Sequence, residues 1–330
     1  MVFCLAIHMS LTKLKREPMA LATTPSWLLL ILALLSTPAA ALAQGTGSPS
    51  GKPDLQGVWD FRTMTPLQRP REMADKDVLT AEEAASYEQA QAESREDYDA
   101  APTVHAKFWL DYGTALTGDR RTSLIVDPPD GRVPALTEDA RARAGARADK
   151  RERTHSIQDR SITERCVVGF NAGPPMNPGA YNNNVMLLQV PGMVVLHNEM
   201  VHEVRVIPLD GRDHLPDGVR QLRGDSRGHW EGPTLVVETT NFTDRTDYLG
   251  SGRDMRLIER FTRRDESTLL YEYTVEDPAS FEHPWTAVVP MTRTEDPMFE
   301  FACHEGNYGL TNILSAARAE ERRAAAGESR

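Results

Sequence analysis

The chain has 330 residues, with 48 acids against 37 bases and a formal net charge of −11. That balance repels phosphate backbones and anionic lipid surfaces, so no nucleic-acid or membrane-surface partner is expected. The length suits one large domain, or one domain with a helical appendage.

The first 43 residues have the order of a secretory signal peptide. Lys13, Lys15 and Arg16 precede an apolar run at 27–35, and small residues follow to Ala41-Leu42-Ala43. This predicts cleavage after Ala43 and a periplasmic or secreted mature chain from Gln44, with Met9 and Met19 as alternative starts. About nine unbroken apolar residues fall short of the roughly 20 needed to cross a bilayer, so no stable span is expected. The leader holds three bases and one acid, Glu17, so its loss takes the charge from −11 to −13. Cys4 leaves with it. The remaining pair, Cys166 and Cys303, predicts one disulfide in an oxidising compartment. Two buried free thiols are the alternative, because pairing requires proximity.

Residues 44–53 are small and polar and read as a flexible linker. A single domain at 54–330 follows, opening with a strand at 54–61. A helical insert is expected at about 66–160. Thr80 with Glu83 makes a capping box for a helix to about 96, and Thr137 followed by two acids starts another to about 151. Between them lies a short strand broken by Pro128-Pro129-Asp130-Gly131. From Tyr181 onward, short β-branched and aromatic segments alternate with turns. Strands are expected at 185–190 and 193–197 around Pro191-Gly192, then at 202–209, 234–240, 255–262, 268–275, 285–292 and 298–303. A helix at 310–323 closes the chain. Sequential antiparallel strands with short turns favour an up-and-down barrel or a sandwich.

Several long strings resemble those of a large family of exported bacterial proteins. They are Arg121-Thr-Ser-Leu-Ile-Val-Asp-Pro-Pro-Asp-Gly-Arg132, Tyr181-Asn182-Asn183-Asn184, Ile207-Pro-Leu-Asp-Gly-Arg212, Gly224-Asp-Ser-Arg-Gly-His-Trp-Glu-Gly232 and Ala302-Cys-His-Glu-Gly-Asn-Tyr308. The resemblance covers most of residues 54–320 and carries no activity with it. Separately, Gly57-x-Trp59 on the first strand is similar to the lipocalin entry motif. With the strand pattern above, that likeness points to a mainly β fold, an antiparallel lipocalin-like β-barrel, to which the helical insert and the C-terminal helix read from the sequence are added.

Ionisable residues at strand positions are the candidates for chemistry. In Val195-Leu-His197-Asn-Glu199-Met-Val-His202, strand alternation places His197 and Glu199 on one face and His202 on the other. Glu199 as base and His202 as acid form the leading acid–base pair. The order is H-x-E-x-x-H and not the zinc-protease H-E-x-x-H, so no metal is expected, and no cofactor motif is present. Glu238 shares a face with Val236 and Thr240, predicted as the inner face, where burial would raise its pKa. Asn182 and Asn184 either form turns or bind a ligand at the barrel mouth. Arg205, between two valines, needs a carboxylate partner or an anionic ligand. Ser226 in Gly-Asp-Ser-Arg-Gly is no nucleophile elbow, since no helix follows; Trp230 beside it is expected to pack under the sheet and to reach a ligand. A Cys166–Cys303 bridge would bring Arg165 to His304 and Glu305 as a cluster at the rim.

Two functions fit these residues. One is a cofactor-free enzyme (isomerase, lyase or hydrolase) acting on a small organic molecule, which the density of ionisable residues favours. The other is a non-catalytic carrier or sensor of a small ligand, since barrels of this size hold one.

Overall fold

The N-terminal strand joins two antiparallel meanders into one sheet. In the computed structural model, which describes residues 51–100, 111 and 113–327, the strands are β1 (Gly57–Asp60), β2 (Ile125–Asp127), β3 (Asn184–Val190), β4 (Met193–Asn198), β5 (Val204–Pro208), β6 (Asp225–Glu231), β7 (Thr234–Thr240), β8 (Arg256–Arg263), β9 (Thr268–Glu276) and β10 (Trp285–Thr294). The order across the sheet is β5-β4-β3-β1-β10-β9-β8-β7-β6, with β2 paired to β10 at the side. All pairings are antiparallel. The described residues lie in one compact unit, and the fold is mainly β, as the sequence predicts. The leader and most of the linker lie outside the described residues.

The hydrogen-bonded ladder does not close into a barrel, because β5 and β6 are unpaired edges. The twist of the sheet nonetheless brings these edges side by side. At Gly228 on β6, an added Cβ would lie 2.8 Å from Ile207 Cγ2 on β5 and 2.7 Å from Leu209 Cδ2. Glycine is required there by close approach. Two ion pairs bridge the same region, Arg205 to Glu259 on β8 and Glu203 to Arg223 just before β6. Side chains, not ladder hydrogen bonds, seal the seam.

Alternation sets the inner face. Trp59, Leu187, Leu196, Ile207, Leu235, Val237, Leu257, Phe261, Tyr271, Tyr273, Trp285 and Val289 are all buried and belong to one core cluster. Each fully buried large apolar side chain favours folding by about 1.5–3 kcal/mol, so this face supplies the main driving force. Its aromatic rings also fill the space that an empty barrel would offer a ligand. Met176 and Asn177 plug one end: Met176 N donates to Tyr271 Oη at 3.0 Å, and Tyr273 Oη donates to Asn177 Oδ1 at 2.6 Å. Burial drives both tyrosine hydroxyls well above their usual pKa, so they stay protonated as donors.

Among the described residues three α-helices lie outside the sheet: α1 (Ala81–Ala100), α2 (Glu138–Glu152) and α3 (Tyr308–Ala325). The capping box of α1 is formed in both directions, Glu83 N to Thr80 Oγ1 at 3.2 Å and Thr80 N to Glu83 Oε2 at 2.9 Å. Thr137 caps α2 by accepting from Ala140 N, as expected, and Asn307 caps α3 by accepting from Leu310 N. Among the described residues, no helix is long and apolar enough to cross a membrane.

Two segments depart from expectation. Asp225–Glu231, outside the strands expected from the sequence, is edge strand β6, and residues 298–303, expected as a strand, have no strand neighbour among the described residues.

Candidate functional site

Glu199 follows β4 as the chain turns toward β5, and it is buried with 3% of its surface exposed. Its Oε2 accepts from Asn184 Nδ2 at 3.0 Å and its Oε1 from Phe299 N at 2.9 Å. Its own backbone N donates to Asn184 O at 3.0 Å. Glu199 and Asn184 thus staple the start of β3, the end of β4 and the 298–303 strap together. We expect Glu199→Gln to cost about 1–3 kcal/mol, because one of the two donors then faces an amide NH2. Chemical denaturation measures it; a change below a few tenths of a kcal/mol would show the staple idle.

His202 is exposed, and its ring lies 5.2 Å from that of His197 on β4. His197 is half-buried with its Nε2 buried and unpartnered. Burial first, then the neighbouring His202, pushes its pKa below the usual histidine range, so His197 is neutral near pH 7. The outward positions around it, Met186, Leu188, Val190, Met193, Val195, Val204 and Val206, are apolar. His202 thus joins His197 where alternation placed Glu199, because the chain leaves the strand through left-handed Val201 and His202 (φ 50° and 53°) and Glu199 turns inward.

The asparagine run serves the turn before β3. Asn182 has a φ of 53°, in the left-handed region that Asn tolerates. Asn183 is fully buried, accepting from Gly179 N at 2.7 Å and donating to Gly179 O and Asp111 O. Asn171 adds donors to the carbonyls of Tyr181 and Asn182.

Glu238 does share a face with Val236 and Thr240, but that face is the outer one, since the core takes Leu235 and Val237. Arg256 pairs with Glu238, and His214 Nε2 lies 3.4 Å from its other oxygen. The hydrogen bond from Arg256 outweighs partial burial and holds the Glu238 pKa below the usual range, opposite to the expected rise. Nδ1 of His214 meets Asp225 Oδ2 at 2.9 Å, and Arg227 pairs with Oδ1 of the same carboxylate at 2.8 Å. Trp230 packs against the core, as expected for a residue under the sheet. Arg205 points inward and has found its carboxylate in Glu259. Glu259 sits between Leu257 and Phe261 at strand spacing, the one local signal in the sequence for its inward place.

Cys166 and Cys303 form the predicted disulfide, with Cα atoms 5.7 Å apart. The bridge does not build the expected Arg165, His304 and Glu305 cluster. Arg165 turns away to donate to Gln158 Oε1 at 3.2 Å, while His304 and Glu305 are exposed. Instead the bridge braces a groove of about 620 Å3 between residues 163–166 and 300–307. Its floor includes the disulfide, Tyr181, Phe301 and Ala302, and Glu164, Glu300 and Asn307 supply polar groups. Tyr181 packs its ring against Phe301 at 5.7 Å and edge-on to Phe170 at 5.2 Å. Asn307 Nδ2 donates to Glu164 O at 2.8 Å, tying the walls together a second time. Burial opposes the charge on Glu164, but hydrogen bonds from Arg160 and Ser161 keep its pKa below the usual range. The groove therefore offers aromatic surface and carboxylate acceptors on fixed walls, an arrangement suited to holding a molecule. Among the described residues, no group of three or more His, Cys, Asp or Glu is placed to hold a metal ion.

No protein-family model, no curated protein and no solved structure matches this chain.

Proposed function

We propose that this is an exported protein, periplasmic or secreted, that binds a small organic molecule in the disulfide-braced groove as a carrier or sensor. The carrying observation is the groove itself: about 620 Å3 falls within the roughly 300–1,000 Å3 of small-molecule sites, and a covalent bond joins its walls. Prepaid rigidity of this kind lowers the entropic cost of binding. Aromatic packing inside the sheet favours this outer groove over a central cavity. The leader supports export, and a disulfide fits an oxidising compartment. Catalysis by Glu199 is less well supported, because both of its oxygens are engaged inside the protein.

The test fills the groove. Ala302 is exposed on its floor, so Ala302→Trp occupies the space without disturbing the core. Native mass spectrometry of the exported protein should find a small molecule on the wild type and none on this variant, with melting unchanged. Equal occupancy of both forms would place the ligand elsewhere, and an empty wild type after export would sink the reading.

A further inference from the structure

The segment that the disulfide pins also lines a second cavity, of about 380 Å3 and opposite electrical character. Six basic residues line it: Arg147, Lys150 and Arg151 from α2, Arg160 and Arg165 from the segment that follows, and Arg245 from the loop after β7. Three acids, Asp159, Asp244 and Asp247, share the lining. Glu164 pairs with Arg160 from outside it. Counting that fourth acid, the cleft still holds a surplus of two positive charges, in a chain whose net charge is −11.

Several of these cations are not spent on the fold. Arg147 is: it pairs with Asp247 at 3.0 Å and donates to the carbonyls of Asp244 and Thr246, both at 3.2 Å. Lys150, Arg151 and Arg245 have no side-chain ion pair or hydrogen bond among the described residues. Arg160 and Arg165 each keep a buried Nε with no partner, an unsatisfied donor of the kind that folded proteins rarely leave. The negative end of the α2 dipole accounts for Lys150 and Arg151. It does not account for three more arginines converging from two other segments.

The geometry points to an anion-binding cleft here, for a phosphate-like oxyanion carried either as the free ion or as a monoester of a small organic molecule. Guanidinium groups meet such oxyanions through paired N–H donors, and a cluster in a concave site focuses the field on them. The assignment stands apart from the groove reading, because the two cavities share no lining residue.

The experiment titrates the mature protein with inorganic phosphate, glycerol phosphate and, at matched ionic strength, chloride, reading both the melting temperature and the calorimetric Kd. Phosphate or its monoester should raise the melting temperature while chloride does not, and the tighter of the two names the source. Arg151→Ala/Arg245→Ala, which removes exposed and unpaired charges, should melt like the wild type without ligand and bind at least tenfold more weakly. Lys150→Ala/Arg245→Ala provides a second variant with the same expectation if the first misfolds. Ala302→Trp should leave phosphate binding unchanged. A chloride effect equal to that of phosphate, or undiminished phosphate affinity in both charge variants, would overturn the assignment.

Discussion

Replacing Arg205 with methionine should destabilise the protein by about 3–5 kcal/mol, because it strands a buried carboxylate. Arg205 meets Glu259 through two parallel bonds, Nη1 to Oε2 at 2.5 Å and Nη2 to Oε1 at 2.8 Å. The Glu259 side chain has 0% exposure and that of Arg205 10%. Burial works against the charge on Arg205, but Glu259 overrides it and raises the arginine pKa. Among the described residues the one other donor to the carboxylate is Tyr271 Oη, at 2.8 Å. Once the guanidinium is gone, a single neutral hydroxyl must stabilise a charge that no water reaches. The midpoint of chemical denaturation should fall with its slope unchanged, since the exposed surface on unfolding is the same. Arg205→Met/Glu259→Leu should recover most of the loss, because removing both ions also removes their desolvation cost. The two substitutions therefore couple by well over 1 kcal/mol. A single Arg205→Met variant within about 0.5 kcal/mol of the wild type would mean that water reaches the pair, and that the seam between β5 and β6 is open.

What the sequence revealed, and what it hid, follows from the range of each signal. The β3–β4 hairpin was legible because Pro191-Gly192 interrupts two β-branched runs, and both are strands with that turn between them. β6 was not, because in Asp225-Ser-Arg-Gly-His-Trp-Glu231 four ionisable residues alternate with Ser226, Gly228 and Trp230, only one of which is a large apolar side chain. Its inward glycine makes sense only once Ile207 and Leu209 are seen against it. Met298-Phe-Glu-Phe-Ala-Cys303 alternates like a strand but finds no ladder, and Glu199 holds its backbone instead. Alternation assigned Glu238 to the correct set of residues and the wrong side of the sheet, because a period of two does not say which face is the core. The cationic cleft brings α2 and the segment at 158–165 to a loop at 244–247, about eighty residues further on. No local pattern spans that gap.

Removing the disulfide should have the other large effect, and it separates stability from binding. The bridge closes a loop with a sequence separation of 137 residues. In the chain-entropy model a loop of that length stabilises by up to about 5 kcal/mol, most of it by restricting the unfolded state. For a domain this size, roughly 2 °C per kcal/mol then predicts a fall in melting temperature of about 8–10 °C for Cys166→Ala/Cys303→Ala. The sheet should survive, because Cys166 lies outside the main core cluster and Cys303 belongs to no strand. Far-UV circular dichroism at 20 °C should therefore match the wild type. The groove should not survive intact. Its walls would keep the bond from Asn307 to Glu164 O and the Tyr181–Phe301 ring packing, and the 298–303 strap its tether at Phe299 N. These contacts are weak and noncovalent where the disulfide is fixed, so binding of the co-purifying molecule should weaken well below the melting range, where the variant is fully folded. Phosphate binding in the cationic cleft should weaken less, because α2 and the 244–247 loop are joined through Arg147 independently of the bridge. Reduction of the wild type with a thiol should reproduce both effects. A melting temperature within 2 °C of the wild type would mean that the reduced chain already holds these segments together. Unchanged ligand binding in the folded double variant would show that the bridge stabilises the chain without shaping the groove.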